Sequence, residues 1–240
     1  MSKRNFIMKN TKKLFKEKLN FIAVIVALIM TILLYVPLRN ELNIINDDNI
    51  ETKDLKKENY VFLGDSITDW YPIDELYEEN VPIVNSGKAG YTTTDILEKL
   101  EKMVYVYNPT KVFILIGIND LKTDMSEDEI LNNIEQIVIN IKENRPAAKI
   151  YVQSIYPINK TENEKIIHSL IGKRENDAII KMNKKLELLC KNQNITYINM
   201  YNKLIDNDGN LALHYTTDGL HLTNLGYLKV TKLLEKYINE

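Results

Sequence analysis

Ser66 stands at the end of Gly64-Asp65-Ser66, where the apolar run 60–63 gives way to the amphipathic segment 67–77. A hydroxyl at a strand-to-helix junction projects from the carboxyl edge of a sheet, beside helix N–H groups that favour negative charge, and so suits a nucleophile. The same place suits a helix cap, a common role for serine. Far along the chain, Asp218-Gly219-Leu220-His221 sets a carboxylate and an imidazole three residues apart. That spacing lets Asp218 hold one ring nitrogen while the other faces a hydroxyl. In Gly117-Ile118-Asn119-Asp120 the Asn119 amide is able to donate to an oxyanion. The stretch Asn85-Ser86-Gly87-Lys88-Ala89-Gly90 carries glycines that let backbone N–H groups approach a ligand closely. Taken singly, the glycine stretch and Asn119 also read as ordinary turns.

Other chemistry-bearing residues have plainer roles. His168 lies in a polar insertion and His214 in a loop, neither with a carboxylate at a helpful spacing. Trp70 reads as core or pocket wall rather than a reacting group. Cys190, the only cysteine, sits in a helical run as a small core residue, so no intramolecular disulfide forms. Three scattered histidines without paired ligand spacing make no recognisable metal site, and no cofactor is expected.

The elements that must position these side chains alternate. Strands are expected at 60–63, 81–84, 112–116, 149–155 and 196–199, and helices at 67–77, 94–107, 127–144, 176–191 and 225–237. Ser126-x-x-Glu129 is a capping box that starts the third helix. Such alternation implies an α/β fold, a five-stranded parallel sheet covered on both faces as a three-layer α/β/α sandwich. The carboxyl ends of its strands then converge on one edge, where Ser66, Gly90 and Asn119 all fall. Residues 159–174 are polar, with the pattern of a loop or lid beside that edge.

Upstream of the domain the chain changes character. Residues 1–18 hold Lys3, Arg4, Lys9, Lys12, Lys13, Lys16 and Lys18 against Glu17 alone, so a net charge of −2 conceals a basic tail on an acidic remainder. The acidic remainder argues against nucleic acid as a partner. Residues 19–38 are uncharged and long enough, at about 1.5 Å per residue, to cross about 30 Å of hydrocarbon. They exceed the apolar length usual for a cleaved leader and lack a small-x-small site, which favours a signal anchor. Positive flanks stay inside, so residues 1–18 are expected to be cytoplasmic and everything after Arg39 external. Residues 39–58 read as a polar tether and 59–240 as the domain.

In order, the four stretches resemble the blocks of the SGNH hydrolases, the GDSL esterase/lipase family. These blocks are Gly-Asp-Ser with the nucleophile, a glycine after strand two, Gly-x-Asn-Asp after strand three and Asp-x-x-His near the end. The resemblance covers roughly residues 59–238 and implies that family's flavodoxin-like sandwich. Carried over, it makes Ser66 the nucleophile, His221 the general base and Asp218 its orienting partner. The oxyanion donors would be the N–H groups of Ser66 and Gly90 and the side chain of Asn119. Tyr91 stands where relatives often have Asp, which leaves Gly87 as a rival for the second block. Gly90 fits better because Thr92-Thr93-Thr94-Asp95 follows it as a helix start.

What the resemblance implies is a serine esterase. An external, tethered domain would reach envelope carbohydrate or lipid, and the expected substrate is a small acyl ester, acetyl foremost, on carbohydrate. Lysophospholipid hydrolysis and acyl transfer use the same triad. An inactive, membrane-anchored binding protein on this fold would lack an essential group, and none is missing.

Overall fold

A computed structural model describes residues 58–78 and 81–240. The basic tail 1–18, the apolar run 19–38 and nearly all of the tether 39–58 lie outside the described residues. Among the described residues no helix is long and apolar enough to cross a membrane.

Five strands form one parallel sheet: β1 Tyr60–Gly64, β2 Ile83–Gly87, β3 Lys111–Leu115, β4 Lys149–Gln153 and β5 Thr196–Ile198, in the order β2-β1-β3-β4-β5. Every residue of β1 and β3 is buried, the pattern of central strands covered on both faces. Their register aligns Phe62 with Phe113 and Phe113 with Tyr151, so the three rings pack side by side at centroid distances of 4.9 and 4.6 Å.

The chain runs outward from β1 to β2 and then reverses across β1 to β3. Right-handed crossovers therefore put the helices after β1 on one face and those after β2, β3 and β4 on the other. The reversal opens a crevice between the carboxyl ends of β1 and β3, the usual ligand position in such sheets.

On the second face lie α3 Thr93–Glu98, α4 Leu100–Met103, α5 Glu127–Asn144 and α7 Asn176–Asn192. Asn133 Nδ2 on α5 donates to Thr93 Oγ1 on α3 at 3.0 Å. The first face carries α1 Ser66–Asp69, α2 Ile73–Leu76 and α9 Asn224–Ile238. Tyr227 stacks on Tyr71 at 5.0 Å and its hydroxyl donates to the Ile67 carbonyl at 2.9 Å, fixing α9 against the serine-bearing turn. Two further short helices, α6 His168–Ile171 and α8 Tyr201–Leu204, lie in the connections.

The strand expected over 149–155 ends at Gln153, and three other elements depart further from the sequence expectation. The helix expected over 67–77 is two short pieces, because Pro72 supplies no N–H and disfavours helical backbone at Tyr71. The helix over 94–107 breaks at Lys99 (φ −120°) and ends in a 3-10 turn, Tyr105–Tyr107, whose aromatic and β-branched residues support a helix poorly. β2 starts later than expected, after Pro82, and runs through Asn85-Ser86-Gly87, which pair with β1 rather than forming a loop. The helix Glu127–Asn144 and its Ser126–Glu129 capping box are as expected.

Candidate active site

Ser66 opens α1, directly after β1. It is not the helix cap. Asp65 fills that role, its Oδ1 accepting from the Ile67 N–H at 2.9 Å, and the serine hydroxyl is left free. Ser66 Oγ lies 2.9 Å from His221 Nε2, and His221 Nδ1 lies 2.7 Å from Asp218 Oδ2. A carboxylate facing Nδ1 favours a proton there, so in the neutral imidazole Nε2 keeps its lone pair toward the hydroxyl. Asp218 Oδ1 meanwhile accepts from the backbone N–H groups of Leu220 and His221 at 2.9 and 2.8 Å. Burial pushes the Asp218 carboxyl up, but the hydrogen bonds from the His221 side chain and the two N–H groups outweigh it, and the group sits below its usual range. The arrangement thus offers a hydroxyl, a base and a persistent anion in one line.

The two glycines that competed for the second block have different jobs. Gly87 ends β2, where a Cβ would stand 2.1 Å from the Asp69 nitrogen, so its lack of a side chain lets α1 pack on the strand. Gly90 has φ +84°, open space around its Cα, and an N–H without a hydrogen bond among the described residues. Of the two glycines, Gly90 presents the free backbone donor at the sheet edge, whereas the Gly87 N–H donates to Asn85 Oδ1 at 3.0 Å. Ser66 begins its helix, so its own N–H has no acceptor within that helix. Asn119 follows β3, donates one Nδ2 proton to the Tyr91 carbonyl at 3.0 Å, and keeps the second unpartnered among the described residues. Asp120 next to it is fully buried and accepts from the Thr93 N–H and hydroxyl, at 3.0 and 2.6 Å, tying the Asn119 turn to the start of α3.

The family model described as GDSL-like lipase/acylhydrolase matches residues 62–229, a span that contains all of these groups. The chain belongs to the GDSL-like lipase/acylhydrolase family. This acylhydrolase is 28% identical over 194 residues to platelet-activating factor acetylhydrolase IB subunit alpha2 of Rattus norvegicus, covering 79% of each chain. It is 29% identical over 164 residues to N-acylneuraminate cytidylyltransferase of Streptococcus agalactiae, covering 68% of this chain and 34% of that one. It therefore spans about a third of that relative's length. Among solved structures, a Streptococcus pneumonia protein provisionally assigned as a platelet activating factor superimposes with a TM-score of 0.71 at 33% identity, over 85% of this chain and 98% of that one.

Three residues around the acylhydrolase site had no part, or a vaguer one, in the sequence analysis. Trp70 lies with its ring 4.0 Å from that of His221 and is half exposed, so the expected pocket wall is a cover for the imidazole. Arg174 is buried behind Asn119, with its Nη2 donating to Asn119 Oδ1 at 2.9 Å. Asp65 is fully buried, and its Oδ2 has no hydrogen-bond partner among the described residues. His168 and His214 take no part. The first lies 3.9 Å from exposed Glu162, and the second packs on Tyr215. Cys190 is buried in α7, as expected of a core residue.

Burial pushes the Asp65 carboxyl up to about 7, against the lowering effects of the Ile67 N–H, His221 and Arg174. The folded chain thus binds this proton more tightly than the unfolded chain. The resulting stabilisation is complete below about pH 4 and is lost as pH rises to about 7. Asp65→Asn keeps an oxygen for the Ile67 N–H but does not titrate. Its melting temperature relative to the parent is expected to rise steadily from about pH 4 to about pH 7 in thermal melts. Parallel curves across that window would show that Asp65 does not ionise at a cost.

Proposed function

We propose that this acylhydrolase is a serine esterase that removes small acyl groups, acetyl foremost, from carbohydrate of the cell envelope. Ser66 is the nucleophile, His221 the general base and Asp218 its orienting anion. The observation that carries the reading is the continuous hydrogen-bonded line from Ser66 Oγ through the imidazole to Asp218. Ser66 Oγ attacks the ester carbonyl carbon while its proton passes to His221 Nε2. The carbonyl electron pair moves onto oxygen, where the Ser66 and Gly90 N–H groups and Asn119 Nδ2 donate to it. Collapse breaks the bond to the alcohol, which leaves with the proton from His221. Water then gives a proton to His221, attacks the acyl-serine carbonyl and releases the acid, and the proton returns to Ser66.

A short acyl group suits the near-burial of the reacting atoms, with Ser66 6% and His221 5% exposed. The relative named an acetylhydrolase points the same way. Carbohydrate is supported by the relative named for N-acylneuraminate, a sugar acid, and by the anchor expected at 19–38 with its basic inner flank. A domain held outside the membrane, as the sequence expectation has it, would meet surface glycans. The acetylhydrolase relative also favours a second reading, in which the acetyl group is carried by a lipid.

A chain-length series of p-nitrophenyl esters tests the acyl group. From acetyl to octanoyl, kcat/KM should fall by at least about tenfold, the scale of one ill-fitting methylene. A preference for octanoyl would overturn the small-acyl reading. Acetate release is then compared between acetylated glycans and an acetylated phospholipid in vesicles. Release from the glycans is the expected result, and release from the lipid alone would move the substrate to the membrane.

A further inference from the structure

Residues 159–174, expected as a loop or lid, are a brace clamped to both halves of the site. The Asn159 N–H donates to the Gly219 carbonyl at 2.8 Å and the Ile167 N–H to the Asp218 carbonyl at 2.9 Å, so the segment grips the Asp-His turn. Its last residue, Arg174, is 2% exposed. The Arg174 Nε donates to the Ile118 carbonyl at 2.6 Å, Nη1 to the Leu170 and Ile171 carbonyls at 2.9 Å each, and Nη2 to Asn119 Oδ1 at 2.9 Å. No carboxylate lies within ion-pair distance of it among the described residues, and buried Asp65 acts on it only through space. A buried guanidinium without an ion pair is costly, and its rigid fork offsets that cost with four hydrogen bonds that a neutral side chain at this position would not make.

What it supplies is the orientation of one amide. Asn119 Oδ1 faces a cation that only donates, and Asn119 Nδ2 faces the Tyr91 carbonyl, which only accepts. Turning the amide over would set N–H against N–H on one side and oxygen against oxygen on the other. Both contacts therefore select the orientation in which the remaining Nδ2 proton is the free one. We propose that Arg174 is the positioning residue for Asn119: it locks the amide with its donor edge toward the oxyanion and, as a cation on Oδ1, strengthens that donor. The inference rests on the esterase reading above. Arg174 itself touches no substrate.

The full chain and a double-mutant cycle on acetyl p-nitrophenyl ester test this, with kcat expressed per active site counted by fluorophosphonate. Asn119→Ala alone should lower kcat by about 10²–10³-fold, the cost of one oxyanion donor. Arg174→Met should lower kcat by about 10–100-fold with little change in KM, the scale of a misplaced catalytic group. In the Asn119→Ala background the same Arg174→Met change should lower kcat less than about twofold, because the group it positions is gone. Arg174→Lys keeps the cation but not the fork, and should fall between the parent and the Met variant in the same cycle. It replaces the Met variant if that one yields no folded protein. Equal falls in both backgrounds would mean that Arg174 only cross-links the fold, and an unchanged kcat would mean that Asn119 needs no clamp. Either result overturns the positioning role, and with ester turnover by the parent intact it leaves the esterase reading standing.

Discussion

Ser66→Ala is expected to abolish ester turnover, lowering kcat by about 10⁶-fold, the loss seen when a serine nucleophile of a triad is removed. The folded chain should tolerate the change well. The Ser66 side chain makes a single hydrogen bond, to His221, while the helix start depends on Asp65 Oδ1 and the Ile67 N–H. Removing one oxygen from a 6% exposed side chain leaves the packing of α1 on β2 and of Tyr227 on Ile67 in place. The melting temperature should therefore stay close to that of the parent while activity disappears. Two measurements check this together: kcat on acetyl p-nitrophenyl ester, and the mass added by a fluorophosphonate, which should map to the peptide containing Ser66 in the parent and be absent from the variant. Hydrolysis by Ser66→Ala at the parent rate would remove the nucleophile from the scheme and restore the alternative of an inactive fold used for binding.

Much of this arrangement is legible in the sequence because its parts are local. Asp218 and His221 sit three residues apart, and the turn between them brings Oδ2 to Nδ1 while Oδ1 collects the backbone N–H groups. The Ser66 junction is marked by the end of a wholly buried strand, and α5 by a capping box followed by a long amphipathic face. Where spacing alone left choices, packing made them. Nothing local says whether Asp65 or Ser66 caps α1, and the structure gives the cap to Asp65. Gly87 and Gly90 look alike in a string of letters, but one is needed for a helix to lie on a strand and the other leaves an N–H uncovered.

Arg174 shows what was not legible. Three of its four partner residues are met through backbone carbonyls, which carry no residue-type signal, and the fourth, Asn119, is 55 positions away. An arginine at the end of a polar stretch reads as solvated. Only the fold buries it. The same holds for Trp70, whose apolar ring gave no hint that its neighbour would be the imidazole.

Asp218→Asn should lower kcat by about 10⁴-fold at neutral pH without disturbing the turn, because it reverses the proton on the imidazole. Asn keeps one oxygen, which continues to accept from the Leu220 and His221 N–H groups as Oδ1 does now, so the backbone from Thr216 to His221 retains its bonds. The other arm, where Oδ2 accepts from Nδ1 at 2.7 Å, becomes an NH₂ that only donates. Facing a donor, Nδ1 gives up its proton and the imidazole carries it on Nε2, where it points at Ser66 Oγ instead of offering a lone pair. The serine then has no base, and the imidazolium formed during attack loses the anion beside it. Asp218→Ala removes the NH₂ as well as the carboxylate and also strips the Leu220 and His221 N–H groups of their acceptor. It should therefore lower the melting temperature more than Asn does, while Asn remains severely inactive. Steady-state kcat per fluorophosphonate-labelled site, read beside thermal melts of both variants, separates the two effects. If Asp218→Asn kept its kcat within about tenfold of the parent, far short of the loss that a reversed tautomer brings, Asp218 would be a brace for the turn and His221 would owe its tautomer to something else.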